Sequence, residues 1–260
     1  MPLNAADIVP EIPLGKAVSV VGLHAEGLVA LEKPCSILSH PNSETDNKRS
    51  LLTASWSKDR ERYMWKVGNK SYRLYLLHRL DSATSGVLIG CVNPNLAREL
   101  KAQFSKRRVS KTYFAIVLGR ATDKELTWRD LLRKRRSRSG IRMDAIVRGG
   151  SPAETRMTLI EARQAHPKLS MLKLKPITGR THQLRVQAAK RQLPIVGDGT
   201  YGNFKFNRKV HKSLGEQRLF LHAASIKIQW EWNGRRHQFY AESKLPDSFQ
   251  QLMGHKFPDR

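Results

Sequence analysis

The sequence is poor in acidic residues for its length. It has 22 aspartates and glutamates against 47 lysines and arginines, which gives 260 residues a formal net charge of +25. A surface this positive is typical of a protein that binds a polyanion, and nucleic acid is the first candidate. An anionic membrane surface is the weaker alternative, because no long lysine-rich amphipathic helix stands out.

Cysteine and long hydrophobic runs are also scarce. The only two cysteines, Cys35 and Cys91, lie in apolar stretches without the spacing of metal ligands, so we expect reduced core residues. No stretch approaches the length of a membrane span, and the first fifteen residues lack the hydrophobic run of a signal peptide. These absences predict a cytoplasmic protein without a membrane partner.

Several catalytic signatures are missing as well. The nine histidines include no helical pair with an acid and no Cys–His cluster, so a metal site is not expected. No glycine-rich phosphate loop precedes a helix, and no serine lies in a nucleophile elbow. Any catalysis is therefore expected to rest on a carboxylate, with neither metal nor cofactor.

The hydrophobic patterns predict short strands and helices in mixed order. Strands are expected at 17–21, 28–32, 87–92, 112–118, 155–163 and 169–175, and around Ile226, Ile228 and Trp230. Because strands and helices do not alternate strictly, the predicted class is α+β, with a mixed and largely antiparallel central sheet flanked by helices and loops.

Four helices are predicted. Asn93 followed by Pro94 is a helix start, and Leu96, Leu100 and Phe104 would form its buried stripe. Thr181 is predicted to cap a helix that runs to about 191. The other two helices are expected at 50–60 and 245–253.

The predicted organisation is a loose N-terminal arm at 1–15 and one catalytic domain at 16–260. Within the domain, residues 123–152 are read as a basic excursion, and the charged stretch 133–142 is too polar to belong to the core. It is expected to be a mobile loop that clamps the phosphates of a nucleic acid, together with basic runs at 106–111 and 205–212.

One carboxylate stands out within this basic chain. Asp81 lies in the segment His78–Gly86, directly before an apolar stretch that reads as a buried strand. An aspartate in a loop usually caps a turn or pairs with a neighbour such as Arg79. A carboxylate kept ionised by a guanidinium is also what a nucleophile or general base requires.

A second segment, Gly179–Arg185, combines two arginines with a predicted helix start. An arginine at that place binds a carboxylate or a phosphate through two hydrogen bonds, although a solvated helix start explains the pattern equally well. Tyr113, which follows Lys111, is either a core residue or a ring on which a nucleobase stacks.

Five segments together resemble the RluA family of RNA pseudouridine synthases in order and spacing. They are His78–Gly86, Lys111–Tyr113, Gly179–Arg185, Gly197–Gly202 and Leu219–Ala223. The pair Lys33–Pro34 resembles a further element of that family. The resemblance spans residues 28 to 223 and implies the pseudouridine synthase catalytic fold, with an active cleft in the middle of a long sheet.

The resemblance also implies roles for single residues. Asp81 matches the catalytic aspartate and Tyr113 the base-stacking tyrosine. Arg185 matches the arginine that pairs with the aspartate, with Arg180 as the second candidate, and Arg79 matches the arginine that enters the RNA stack. The RNA-binding residues that we expect besides these are His78, Lys111, Arg107, Arg135 and Arg180.

The sequence departs from the family pattern at three places. An N-terminal S4 domain, common among relatives, is not expected within the first 25 residues. Gln187 stands where the third motif usually has histidine, and Cys35–Ser36 replace a usual Ser-Gly pair. The substrate therefore stays open.

The expected activity is the isomerisation of uridine to pseudouridine in structured rRNA or tRNA by a monomer that needs no cofactor. Two alternatives were weighed. A noncatalytic RNA-binding or ribosome-assembly factor on the same fold has no use for the complete set Asp81, Tyr113 and Arg185. A nucleic-acid hydrolase needs a second carboxylate or a metal cluster near the motifs.

Overall fold

The structure, a computed structural model, describes residues 11–137 and 140–257. These residues divide into two compact units. The first takes the chain up to Lys111 together with Ala223–Lys244, and the second takes Thr112–His222 together with the chain from Leu245. The prediction of a single catalytic domain over 16–260 stays a prediction.

Strands dominate the described residues. They are β1 (Ser19–His24), β2 (Leu28–Lys33), β3 (Ser55–Ser57), β4 (Arg62–Val67), β5 (Lys70–Leu76), β6 (Ser85–Cys91), β7 (Val109–Leu118), β8 (Glu125–Ser137), β9 (Gly140–Ile146), β10 (Ser151–Ala162), β11 (Leu169–Pro176), β12 (Leu221–Trp232) and β13 (Arg235–Glu242). The helices are α1 (Pro94–Ser105), α2 (Gln183–Lys190), α3 (Phe204–Leu214) and α4 (Asp247–Gly254), besides a 3-10 helix at Glu44–Arg49.

The first unit is built around β6, in which every residue is buried. Its neighbours are hydrogen-bonded in the order β3-β4-β5-β6-β12, while β2 pairs with β6 and with β1, and β13 pairs with β12. The pairs β1–β2, β2–β6, β3–β4, β4–β5, β5–β6 and β12–β13 are antiparallel. An apolar run with both faces covered is what a central strand needs.

Helix α1 covers the core of this unit. Leu96 and Leu100 are fully buried in the cluster that includes Ile89 and Trp230, and Phe104 packs at its edge. The Asn93 side chain accepts hydrogen bonds from the backbone N–H groups of Asn95 and Leu96, so the predicted cap and stripe are confirmed.

The second unit contains strands in the order β7-β11-β10-β8-β9, and each of these four pairs is antiparallel. Helices α3 and α4 bury Phe206, Val210, Phe249 and Leu252 against residues such as Ile116. The α+β class with a largely antiparallel arrangement is therefore confirmed.

The predicted helix at 50–60 is wrong. Ser50 has an extended backbone after the 3-10 helix, and Trp56 lies in β3 opposite Tyr63. The short segment carries no sustained helical stripe, and pairing with β4 satisfies its backbone instead. The described part of the predicted loose arm is also held in place, because Ile12 is buried and Leu14 forms a bridge with Leu52. Residues 1–10 of that arm lie outside the described residues.

The basic excursion is a β-hairpin rather than the expected loop. Strands β8 and β9 pair antiparallel from Leu131 opposite Ile146 to Ser137 opposite Gly140. Strand pairing satisfies the backbone whatever the polarity of the side chains. The hairpin is also anchored, because Leu132 and Met143 are buried in a small cluster with Val186. Residues 138–139, including Arg138, lie outside the described residues.

Candidate active site

The loop that carries Asp81 connects β5 to β6 and is held at its backbone by two buried side chains. The Lys33 ammonium donates to the carbonyl of Ser82 at 2.9 Å, and also to Pro34 and Ile37. The Ser39 hydroxyl donates to the Leu80 carbonyl at 2.7 Å and accepts from the Leu80 N–H at 3.0 Å. The residues on both sides of Asp81 are thereby held in place, which is what a reacting carboxylate requires.

Lys33 is a lysine with no exposed surface at the end of β2. Burial lowers its pKa to about 7, while Cys35 and Asp81 act in the opposite direction. The field of the Asp81 carboxylate thus reaches Lys33. Three carbonyl acceptors around the ammonium replace the water that burial removes.

The first and fifth motifs meet at a glycine. Gly86 has a φ of +113°, and a Cβ there would lie 2.2 Å from the carbonyl oxygen of Ala223. Any larger residue would push the start of β6 away from β12. This close approach explains why the segment His78–Gly86 ends in glycine.

Arg79 does not bind Asp81 as the sequence suggested. Its side chain is exposed, and its Nη1 atom lies 3.3 Å from Nε2 of His40. The His40 ring stacks on Trp56, with centroids 4.8 Å apart and planes 6° apart. The guanidinium two residues before Asp81 thus contacts His40.

His78 is half-buried in the same unit. Its ring stacks on Phe104 at 5.1 Å, and Nε2 accepts a hydrogen bond from the Ile89 N–H at 3.1 Å. Burial, and then the charge of Lys111, lower the pKa of His78 to about 3. Burial also lowers the pKa of Lys111. Neutral His78 supports the loop, and its expected role in RNA binding stays a prediction.

In the second unit, Arg185 and Asp198 form a buried bidentate ion pair. Nε of Arg185 donates to Oδ2 and Nη2 donates to Oδ1, both at 2.8 Å. Asp198 also accepts from the backbone N–H groups of Thr200 and Tyr201. Burial opposes ionisation, but the hydrogen bonds and charge of Arg185 outweigh it and lower the pKa of Asp198.

Tyr201 completes this cluster. The Arg185 guanidinium lies 5.2 Å from the centre of its ring. The Tyr201 hydroxyl accepts from the Met143 N–H at 2.8 Å and lies 3.0 Å from Nδ1 of His182. Tyr201 therefore connects Arg185 with strand β9 of the basic hairpin.

The start of α2 differs from the prediction at Thr181. The residue before the helix is His182, in a left-handed conformation with a φ of 51°, and no side chain caps the helix there. The Gln183 side chain fixes the turn before the helix, because its Oε1 accepts from the Arg180 N–H and from the Thr178 hydroxyl. The predicted end of the helix agrees with the structure.

Gln187, the departure from the family pattern, has a structural role. It has no exposed surface, and its amide donates to the Asp130 carboxylate at 2.8 Å while accepting from the Thr155 hydroxyl at 2.7 Å. Asp130 also binds Lys190 and Arg191. The Gln187 amide both donates and accepts hydrogen bonds, so it satisfies the buried polar groups around it without adding a charge.

The other predicted residues occupy varied places. Tyr113 is half-buried in β7, opposite Leu174. Arg107 is exposed, in a left-handed turn after α1. Arg135 pairs with Asp144 at 3.1 Å, and Arg180 donates through Nε to the Pro152 carbonyl. Asp81 belongs to the first unit and both arginine candidates to the second, so the pairing of either with Asp81 stays a prediction.

The described residues were expected to hold neither a metal site nor a membrane span. Within 11–137 and 140–257, no group of three or more His, Cys, Asp or Glu side chains is arranged to hold a metal ion. No helix in this part of the chain has both the length and the apolar character needed to cross a bilayer. Both cysteines are free thiols, with Cys91 buried and Cys35 partly exposed.

The fold matches that of solved RNA pseudouridylate synthase domains. Human RNA Pseudouridylate Synthase Domain Containing 1 aligns with a TM-score of 0.63 at 22% identity, covering 94% of this chain and 98% of that one. Human RNA Pseudouridylate Synthase Domain Containing 4 aligns with the same TM-score at 21% identity, covering 96% of each chain. At this identity the likeness defines the class of fold.

The sequence comparisons identify the family. The RNA pseudouridylate synthase family model matches residues 27–190. The tRNA pseudouridine synthase C of Yersinia pestis is 31% identical over 78% of each chain. The ribosomal large subunit pseudouridine synthase C of Vibrio parahaemolyticus is 37% identical over 66% of this chain and 53% of its own. The chain belongs to the RNA pseudouridylate synthase family, as the motifs predicted, and spans about half the length of several relatives.

Sequence reasoning missed several residues that shape the site. Ser39, Asp198 and Tyr201 were not singled out, although Asp198 and Tyr201 lie in a quoted motif. An acid within so basic a chain was the available signal at Asp198. Nothing in the local sequence indicates that Ser39 contacts Leu80, because 41 positions separate them.

Proposed function

We propose that this protein isomerises uridine to pseudouridine in structured RNA, with Asp81 as the catalytic carboxylate. The observation that carries the proposal is the loop of Asp81, where Lys33 and Ser39 hold the backbone on both sides of the carboxylate. Membership of the RNA pseudouridylate synthase family supports the reaction class.

The chemistry follows from the demands of the substrate. A uridine in folded RNA must leave the base stack before its glycosidic bond is reached. The carboxylate then attacks C1′ or removes a ribose proton, and the bond from C1′ to N1 of the uracil breaks. The uracil turns and C5 bonds to C1′, while the carboxylate leaves C1′ or the proton returns to the ribose. Loss of the proton on C5 and protonation of N1 complete the product. Reactant and product have the same atoms and oxidation state, so the reaction requires no redox cofactor and no energy source.

Tyr113 and one arginine complete the proposed machinery. An aromatic ring of this kind holds a flipped base by stacking. Arg185, or Arg180 as the second candidate, would keep the carboxylate ionised. The bidentate contact of Arg185 with Asp198 supports its role, because a guanidinium fixed at two atoms is oriented for a further partner.

The proposed substrates are rRNA and tRNA, because relatives of this chain are named for one or the other. We further propose a monomer that acts in the cytoplasm. The net charge of +25 supports an RNA partner, since phosphate contacts dominate affinity for nucleic acid.

The decisive experiment is to incubate the protein with unmodified rRNA and with unmodified tRNA and to map pseudouridine at single-nucleotide resolution. We expect conversion at defined uridines with the natural protein and none with Asp81→Asn. Tight RNA binding with no pseudouridine in either RNA would favour the noncatalytic RNA-binding factor. Strand cleavage would favour the hydrolase.

A further inference from the structure

A cavity of about 340 Å³ lies beside the basic hairpin in the second unit. We name it the hairpin cavity, and the residues that matter for its chemistry are Arg133, Lys134, Met143, Ser151 and Arg180. The size suits a small polar group such as a nucleotide phosphate with part of its sugar. Two of its cations, Arg133 and Lys134, lie in the basic stretch 133–142, and Arg180 is among the residues expected to bind RNA.

Three cations, Arg133, Lys134 and Arg180, line the hairpin cavity. Among residues 11–137 and 140–257, no carboxylate lies within ion-pair distance of Arg133, Lys134 or Arg180. Three unneutralised charges around one cavity repel one another, and an anion placed between them relieves that repulsion.

Two neighbouring arginines of strand β8 form ion pairs. Arg129 pairs with Glu154, and Arg135 pairs with Asp144. Asp144 lies opposite Arg133 in the register of the hairpin, yet its carboxylate binds Nε of Arg135. Charge is therefore left unbalanced at the cavity and not along the whole strand.

The residues that line the cavity include hydrogen-bond donors. Arg180 is oriented because its Nε donates to the Pro152 carbonyl at 3.2 Å. Ser151 and Thr181, which lies two residues before α2 begins, also line the cavity.

We propose that the hairpin cavity binds a phosphodiester group of RNA. An arginine binds phosphate oxygens through two parallel hydrogen bonds, and a lysine supplies a compact positive charge. The inference rests on the proposed function for the identity of the occupant, since RNA is the proposed substrate. A free phosphate ion shares the same chemistry and is separated from RNA by the experiment below.

The cavity is physically connected to the Arg185 cluster. Met143 lines the cavity, and its N–H donates to the Tyr201 hydroxyl at 2.8 Å. The ring of Tyr201 lies against Arg185, which holds Asp198. A phosphodiester bound here would lie beside Met143, and the side chain of Tyr201 would connect Met143 to Arg185, the proposed catalytic arginine.

The test measures RNA binding rather than catalysis. A fluorescein-labelled single-stranded RNA of mixed sequence is titrated with Arg133→Gln and with Lys134→Gln at several salt concentrations, all in the Asp81→Asn background. Each variant should weaken binding roughly tenfold, as loss of a charge-assisted hydrogen bond does. With both substitutions in one protein, the negative slope of log affinity against log salt should become shallower by about 0.7, the value for one phosphate on a single strand.

Arg129→Gln is the matched control. It removes the same charge from the same strand, but its guanidinium is already paired with Glu154. We expect it to change affinity much less than the other two variants. Equal effects of all three would mean that only the overall charge attracts RNA, and the proposal would be overturned.

Inorganic phosphate identifies the occupant. Unchanged RNA affinity in Arg133→Gln, combined with loss of thermal stabilisation by inorganic phosphate, would assign the cavity to the free ion and overturn the proposal. Because the readout is binding by a protein that lacks the catalytic carboxylate, the result does not depend on pseudouridine formation. Failure of the inference and failure of the proposed function are thus distinguishable.

Discussion

Arg185 binds Asp198 through two parallel hydrogen bonds of 2.8 Å, and this pair ties two separate motifs of the second unit together. Arg185 retains 8% of its side-chain exposure and Asp198 retains 1%. An ion pair this buried holds its members in one geometry, because either charge alone would be left without water. The geometry of Arg185 thus depends on a residue thirteen positions away.

Replacing Asp198 by Asn should destabilise the protein strongly. The amide keeps the size of the carboxylate but removes the charge that faces the buried Arg185 guanidinium, and breaking a buried ion pair costs about 3–5 kcal/mol. Urea unfolding measures the loss. Asp144→Asn is the control, because it breaks the exposed pair with Arg135 and should cost less than about 1 kcal/mol. Similar losses for both variants would contradict a special role of the buried pair.

Asp81→Asn should abolish isomerisation while the fold and RNA affinity are kept. Asn has nearly the same shape, and the backbone contacts from Lys33 and Ser39 do not involve the side chain. Pseudouridine formation under single-turnover conditions is the measurement, with RNA affinity and the thermal midpoint as controls. Activity within tenfold of the natural protein would remove Asp81 from its proposed role.

Tyr113→Phe should keep much of the substrate affinity, whereas Tyr113→Leu should lose it. The phenylalanine ring still stacks on a base, and such stacking is worth about 1–3 kcal/mol per base. The comparison needs KM and kcat for both variants, together with their free energies of unfolding. If both variants behaved alike in catalysis, Tyr113 would be a packing residue of β7.

The stability of the protein should fall on acidification because of His78. Its pKa is about 3 in the folded protein against 6.5 as the ordinary value, so the unfolded state binds more protons between these limits. The free energy of unfolding should therefore decrease as pH falls from 6.5 towards 3, by up to about 1 kcal/mol per pH unit.

His78→Gln tests this explanation. The glutamine oxygen is able to accept the Ile89 N–H, and it carries no titrating proton in this range. Urea unfolding between pH 4.5 and 6.5 should show a shallower pH dependence for this variant than for the natural protein. His211→Gln, at an exposed position of α3, should leave the dependence unchanged. An identical slope in all three proteins would exclude His78 as its source.

Part of the first unit was readable from local sequence. The start of α1 was predicted because Asn93 and Pro94 act on groups within three residues of themselves. Strand β6 was predicted because a short, continuous apolar run is typical of a central strand that is buried on both faces. The hairpin at β8 and β9 was missed because its charged side chains carry no strand signal, while backbone pairing and the buried Leu132 and Met143 stabilise it.

The sequence by itself determined the family, the α+β class and the residue expected to react. Short contiguous motifs carry that information, because the order and spacing of their residues are visible in the sequence itself. Only the tertiary structure decided that Lys33 and Ser39 hold the Asp81 loop, that Arg185 binds Asp198, and that unpaired cations line one cavity. Those contacts join residues up to 49 positions apart, and chain folding rather than sequence proximity brings such groups within hydrogen-bond reach.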